Sequence, residues 1–276
     1  MKIGIATLVC SSVRTAPDNN MLTALAMLAE AGYDCAEYND QSLPQFFTAR
    51  EEELLEVKKK AEAVNVGLHS AHSPCGDYDL TSLDDEDYEK ALEVHLRSVE
   101  ALALVGVEHF VVHQVGGPKE EWARRGERAV AALEALCQRA SEVDIKILIE
   151  NLKGNNCEQL RQLIEKIGSP VLGICLDIGH ANCYNPPAAT EIEVAGEDLW
   201  SLHAHDNHGP GSGDEHLPPG WGTVNWQEVV GALEKVAYAG PFMMEVIREN
   251  PAVAGLSPAE TLRISFEQAK KILAEE

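Results

Sequence analysis

The chain has 276 residues, 45% of them apolar and 24% charged, with a formal net charge of −23. That composition is ordinary for a globular protein, and the length suits one large α/β domain as readily as two small ones. The acidic balance argues against nucleic acid or an anionic membrane as partner, because Lys and Arg carry both kinds of binding.

Seven cysteines, at positions 10, 35, 75, 137, 157, 175 and 183, include no C-x-x-C pair. Their odd number and scatter point to free thiols in a reducing compartment. The sequence shows neither a cleavable leader nor a run of about 18 apolar residues, so a cytoplasmic location is expected.

Short apolar runs alternate with longer amphipathic segments along the whole chain. A strand over 3–7 leads to a helix over 20–31, stopped at Gly32. A strand over 34–38 and a charged helix over 49–64 follow. The next pair is a strand over 66–72 and a long helix over 84–105, stopped at Gly106. A strand over 109–114 precedes a helix over 120–143. A strand over 145–151 precedes one over 158–167, ended by Gly168. The strand over 172–177 is followed by a weak helix over 190–198. The strand over 200–206 is followed, after a loop rich in Gly and Pro, by a helix over 226–239. A strand over 241–246 and a helix over 258–274 complete the pattern.

Strict alternation implies a parallel sheet, and eight units of about 30 residues match a closed (β/α)8 barrel. A doubly wound sheet is the alternative. No shift in composition marks a boundary, so one domain over 1–276 is expected.

A barrel presents its active site at the C-terminal ends of its strands. His72, His113, Glu150, Asp177 and Glu245 fall at such ends. His180 follows Asp177 by three residues, and His203, His205 and Asp206 close the seventh strand. His208, Asp214 and His216 lie in the loop beyond. Eight of the ten histidines (69, 72, 113, 180, 203, 205, 208 and 216) are expected on this one face.

Imidazoles and carboxylates converging on one point make a divalent-metal site, and only a cation lets buried carboxylates stay charged together. Glu150, Asp177, His203 and Glu245 are the expected ligands. Strand alternation aims His203 and His205 the same way, which leaves the choice between them open. His72, His113, His180, Asp214 and His216 are candidates for further metal or substrate contacts. His205, Lys153 and Trp221 are candidates for the substrate alone. Cys175 reads as core, and no phosphate-cradling glycine motif or G-x-S-x-G is present.

Several stretches resemble those of the xylose isomerase-like barrel superfamily. They are Ile149-Glu150-Asn151, Cys175 to His180, His203-Ala204-His205-Asp206-Asn207, Asp214 to Gly222, and Met244-Glu245. The superfamily includes sugar isomerases, sugar epimerases and the endonuclease IV family. The resemblance implies a core site of Glu150, Asp177, His203 and Glu245. In the sugar epimerases the two glutamates also shuttle protons beside the carbonyl.

The three-zinc pattern of endonuclease IV would fall on His72, His113 and Glu150, on the four core residues, and on His180, Asp214 and His216. The expected activity is a metal-dependent isomerase or epimerase of a small sugar, sugar phosphate or related polyhydroxy carbonyl compound. It would hold one ion of zinc, manganese, magnesium, iron or cobalt. The alternatives are a phosphoesterase with up to three ions, and a lyase or dehydratase. The negative charge, and the lack of an Arg- or aromatic-rich inserting segment, weigh against DNA as substrate. Pairing into a homo-oligomer is an open expectation.

Overall fold

The computed structural model describes residues 1–11, 19–74, 76–114, 121–185 and 187–274. Eight strands form one sheet in the order β7-β6-β5-β4-β3-β2-β1-β8. They are β1 Ile3–Ala6, β2 Cys35–Tyr38, β3 Gly67–His72, β4 His109–Val112, β5 Lys146–Glu150, β6 Leu172–Asp177, β7 Leu199–His203 and β8 Phe242–Met244. β1 pairs in parallel with both β2 and β8, which leaves β7 and β8 as the two ends of the order. The last seam, between β7 and β8, closes at Ala204 and Met244. There the Ala204 amide donates to the Met243 carbonyl at 2.7 Å, and the Glu245 amide to the Ala204 carbonyl at 3.3 Å. The expected (β/α)8 barrel is the fold.

The helices are α1 Met21–Ala31, α2 Glu51–Val64, α3 Asp85–Val105, α4 Trp122–Val143, α5 Cys157–Ile167, α6 Ile178–Tyr184, α7 Ala188–Ala195, α8 Trp226–Lys235 and α9 Pro258–Ala274. Their ends follow local chemistry. The Asn20 side chain accepts the Leu22 and Thr23 amides at the start of α1, and Asp84 does the same for Glu86 and Asp87 at α3. Asn156 and Gln159 form a reciprocal capping box on α5. Gly32, Gly106 and Gly168 end α1, α3 and α5 in the left-handed conformation.

Alternation along the strands sorts the core. Phe110, Val112, Ile147, Ile149, Ile174 and Leu176 join the large cluster under the helices. Val111, Leu148 and Cys175 between them form a separate small cluster inside the barrel. Cys175 is therefore core, as expected.

Three expectations are corrected here. The connection after β6 holds two helices, α6 and α7, with a 3-10 turn over Gly196–Asp198, in place of one weak helix over 190–198. The helix predicted over 226–239 ends at Lys235. His69 does not lie on the C-terminal face. It is the third residue of a six-residue strand that runs on to His72, roughly 10 Å further at about 3.3 Å per residue. The expected start of α4 at 120, and Cys75, lie outside the described residues. Among the described residues, no helix is long and apolar enough to cross a membrane.

Candidate metal centre

The strand ends bring together the residues that the sequence points to. Glu150 ends β5, Asp177 ends β6, His203 ends β7, and Glu245 follows β8. All four are buried, and one donor atom from each lies within 4.8 Å of the other three. His203 Nδ1 is the hub, at 3.4 Å from Glu150, 3.3 Å from Glu245 and 3.9 Å from Asp177. It has no hydrogen-bond partner despite complete burial. An unpaired nitrogen facing three carboxylates is costly unless a cation lies among them. One imidazole and three carboxylates suit a divalent ion of the zinc, manganese, cobalt or iron type. The residues therefore fit the metal that the sequence implies.

His203 owes its orientation to a residue that sequence reasoning missed. Its Nε2–H donates to Glu37 of β2 at 3.1 Å, and Ser70 of β3 donates to the same carboxylate at 2.7 Å. Glu37 is fully buried in the barrel interior. A carboxylate behind a metal-ligating histidine fixes its tautomer and leaves the other nitrogen free to bind. The signal available in the sequence was one charged residue inside the short apolar strand Cys-Ala-Glu-Tyr.

Three further groups adjoin the hub, two of them flanking it. His72 and His113 lie 3.6 and 3.2 Å from Glu150 Oε2, and the three form one candidate set. On the other side Asp214 Oδ2 lies 3.0 Å from His180 Nε2 and 2.8 Å from His216 Nε2, forming a second set. Between the groups, His180 Nδ1 is 3.3 Å from Glu150 and His216 Nδ1 is 3.6 Å from Glu245. All five additional candidates therefore lie beside the four core residues.

The substrate candidates are distributed differently. His205 is completely buried, with Nε2 at 3.0 Å from Asp177 and its ring stacked on His216 at 4.0 Å between centroids. His205 does not line the cavity, and with His216 and Glu245 it forms a further candidate set. Lys153 is exposed, with its ammonium 5.9 Å from the Tyr184 ring centroid. Trp221 is half-buried in a turn closed by its own amide and the Pro218 carbonyl. His208 is exposed and bonded to Glu215 at 2.9 Å.

The loops are pinned by side chains. Asp206 accepts from the Gly220 and Val224 amides and from Trp226 Nε1, at 2.9, 3.1 and 2.9 Å. A Cβ at Gly222 would sit 2.2 Å from the Asn207 carbonyl oxygen, so the Gly-Trp-Gly turn needs glycine there. Gly179 is equally constrained, because a Cβ would come within 1.9 Å of His205. Asp177 has a second task, accepting the His180 amide at 2.6 Å to cap α6. Asn151 bridges the strand ends, donating to the Asp177 carbonyl and accepting its amide.

The cluster opens into a cavity of about 200 Å³. Leu8, Asn39, Asp40, Gln41 and Ile247 line it beside Glu150, Glu245 and the histidines, and none of these five was singled out from sequence. Its electrostatics follow from the carboxylate excess. Burial pushes the Glu150 carboxyl up, but His203, His113 and His180 outweigh burial and hold it well below the ordinary value. Burial likewise opposes charge on His203, and Cys175 together with Glu37, Glu245 and Glu150 overcomes it to raise that imidazole well above its usual pKa. His216, against Glu245 and Asp214, is raised to about 9. Protonated imidazoles balance the carboxylates here, the electrostatic task a divalent cation would perform.

Residues 25–272 match the family described as xylose isomerase-like TIM barrel. The D-psicose 3-epimerase of Enterocloster bolteae is 27% identical over 230 residues, covering 78% of this chain and 72% of that protein. A probable endonuclease 4 of Aquifex aeolicus is 27% identical over 192 residues, covering 62% and 68%. A crystal structure of a D-psicose 3-epimerase in the presence of D-fructose superposes with a TM-score of 0.83 at 19% identity, covering 99% of both chains. At that identity the likeness concerns the fold. The family match spans most of the sequence, and the chain belongs to the xylose isomerase-like TIM barrel family.

Proposed function

We propose that this protein is a metal-dependent epimerase or isomerase of a small polyhydroxy carbonyl compound. The observation that carries this reading is a pair of buried glutamates, Glu150 and Glu245, on β5 and after β8. They share one four-donor cluster that opens into a cavity. Glu150, Asp177, His203 and Glu245 would hold a divalent ion. When bound, it supplies Lewis-acid stabilisation of negative charge on the substrate's carbonyl oxygen.

The chain's own residues do the rest. One glutamate removes the proton from the carbon beside the carbonyl, and the other returns a proton from the opposite side. Asp177 and His203, held by His205 and Glu37, keep the glutamates' shared partner in place. Asn39, Asp40 and Gln41 at the cavity wall offer donors and acceptors for hydroxyl groups. The epimerase relative supports this reading.

Incubating the protein with unphosphorylated and phosphorylated ketoses in deuterium oxide tests it. Deuterium should enter at the carbon beside the carbonyl along with the epimeric or isomeric product. Turnover of any such compound without exchange from solvent would count against the two-glutamate mechanism. No turnover across both panels would count against the substrate class.

A second reading, hydrolysis of a phosphate ester, is favoured by the two flanking three-residue sets and by the endonuclease relative. Release of phosphate or cleavage of a phosphodiester, with no ketose turnover, would select it.

A further inference from the structure

The opposite end of the barrel holds a cavity of about 410 Å³, larger than the one at the candidate metal centre. Lys2, His69, Glu108, His109, Lys146 and Trp200 line it. The register that pairs Ser70 with His109 places His69 one residue away on the neighbouring strand. The two imidazole rings stand 4.5 Å apart between centroids. Glu108, just before β4, brings its carboxylate to 3.7 Å from His69 Nδ1 and 4.0 Å from His109 Nδ1. One donor atom from each of the three lies within 4.8 Å of the other two.

His69 is the anomaly. Its side chain is only 11% exposed. Its Nε2 is buried without a hydrogen-bond partner. Its Nδ1 faces Glu108 at a distance beyond hydrogen-bond reach. Largely buried polar groups are seldom left so, and each such case calls for a cause. Burial, with help from His109, Lys2 and Lys146, lowers the His69 pKa to about 3, and burial lowers His109 too. His109 Nδ1 lies 3.2 Å from the His69 carbonyl oxygen and donates to it, which leaves Nε2 as the His109 nitrogen with a lone pair.

Lys2 and Lys146 oppose a cation, but Lys146 rests its ammonium 5.0 Å over the Trp200 ring. Glu108, 70% exposed, is free to swing inward.

We propose that this floor cavity is a second metal site. It holds one zinc-class divalent ion through His69, His109 and Glu108, and it is independent of the cluster at the other end. Two imidazoles and a carboxylate form a donor set that zinc takes, with water in the fourth position. Calcium and magnesium prefer oxygen donors and are disfavoured. A ligand nitrogen sits about 2.0–2.1 Å from zinc, so the donors must draw together slightly, which the exposed Glu108 side chain permits.

The test is a zinc chloride titration of chelator-stripped, full-length protein, followed by calorimetry and by the NMR signals of the histidine rings. Wild type should show the His69 and His109 rings shifting as one equivalent binds. His109→Ala should bind one equivalent fewer. Glu108→Gln, altered at an exposed side chain and so safe for folding, should weaken that equivalent about tenfold. Unmoved His69 and His109 signals while zinc fills the other face would overturn the proposal. So would an unchanged titration in Glu108→Gln.

Discussion

The two ends of this barrel hold the same residue types in opposite electrostatic states. At the C-terminal face, Glu150, Asp177, Asp214 and Glu245 crowd around His180, His203 and His216. Carboxylates outweigh burial there and raise the imidazoles, His216 to about 9. At the floor, His69 and His109 meet one exposed glutamate and two lysines, and burial wins, taking His69 to about 3. The difference lies in the number of buried carboxylates, not in depth. The C-terminal face needs positive charge to hold itself together, whereas the floor offers neutral lone pairs.

The largest expected effect tests the C-terminal face directly. Glu245→Gln preserves shape while removing a base, and general acid–base groups contribute about 10²–10⁴-fold. Turnover should fall by about 10³-fold with KM little changed. Unimpaired kcat would remove Glu245 from proton transfer.

A histidine that is buried but has no carboxylate neighbour sharpens the contrast. His95 of α3 is buried, donates to the Ala91 carbonyl at 2.7 Å, and has its pKa lowered to about 4 by burial. The unfolded chain protonates this group near its ordinary value of about 6.5, whereas the folded one does not until about 4. Its stabilising contribution is therefore complete above pH 6.5 and lost as pH falls toward 4. The cost is on the order of 3 kcal/mol at 1.36 kcal/mol per unit. Urea unfolding between pH 7 and 4 should show that loss, reduced in His95→Gln. Identical pH profiles for the two proteins would refute the assignment.

The smallest effect concerns Glu37. Replacing it with Gln keeps the shape but removes the charge behind His203, and such partners govern metal affinity by about 10–100-fold. Cobalt or zinc affinity should drop by that factor with the fold intact by circular dichroism. Unchanged affinity would reduce Glu37 to a packing role.

The barrel was legible because each strand is a short apolar run bounded by turn residues, and because the candidate ligands sit where those runs end. The pairing of Glu150 with Glu245, across strands nearly 100 residues apart in the chain, followed from that rule alone. The rule failed where direction along a strand mattered. His69 and His72 share β3 yet serve opposite ends, and a run of apolar residues does not reveal where its strand starts. Helix α6 was missed because seven residues are too few to show a period, and because the capping Asp177 also reads as a ligand. Glu37 was missed because its partner His203 lies 166 residues away, a contact that local pattern does not encode. His205, expected to face substrate, turns instead onto Asp177, a choice made by tertiary packing against Gly179.

The most direct test is metal content per chain in protein purified without chelators, for wild type, Asp177→Asn and His109→Ala. The account predicts a divalent ion that His109→Ala retains and Asp177→Asn loses. Wild type free of metal even after reconstitution, or Asp177→Asn with the full wild-type complement, would contradict it.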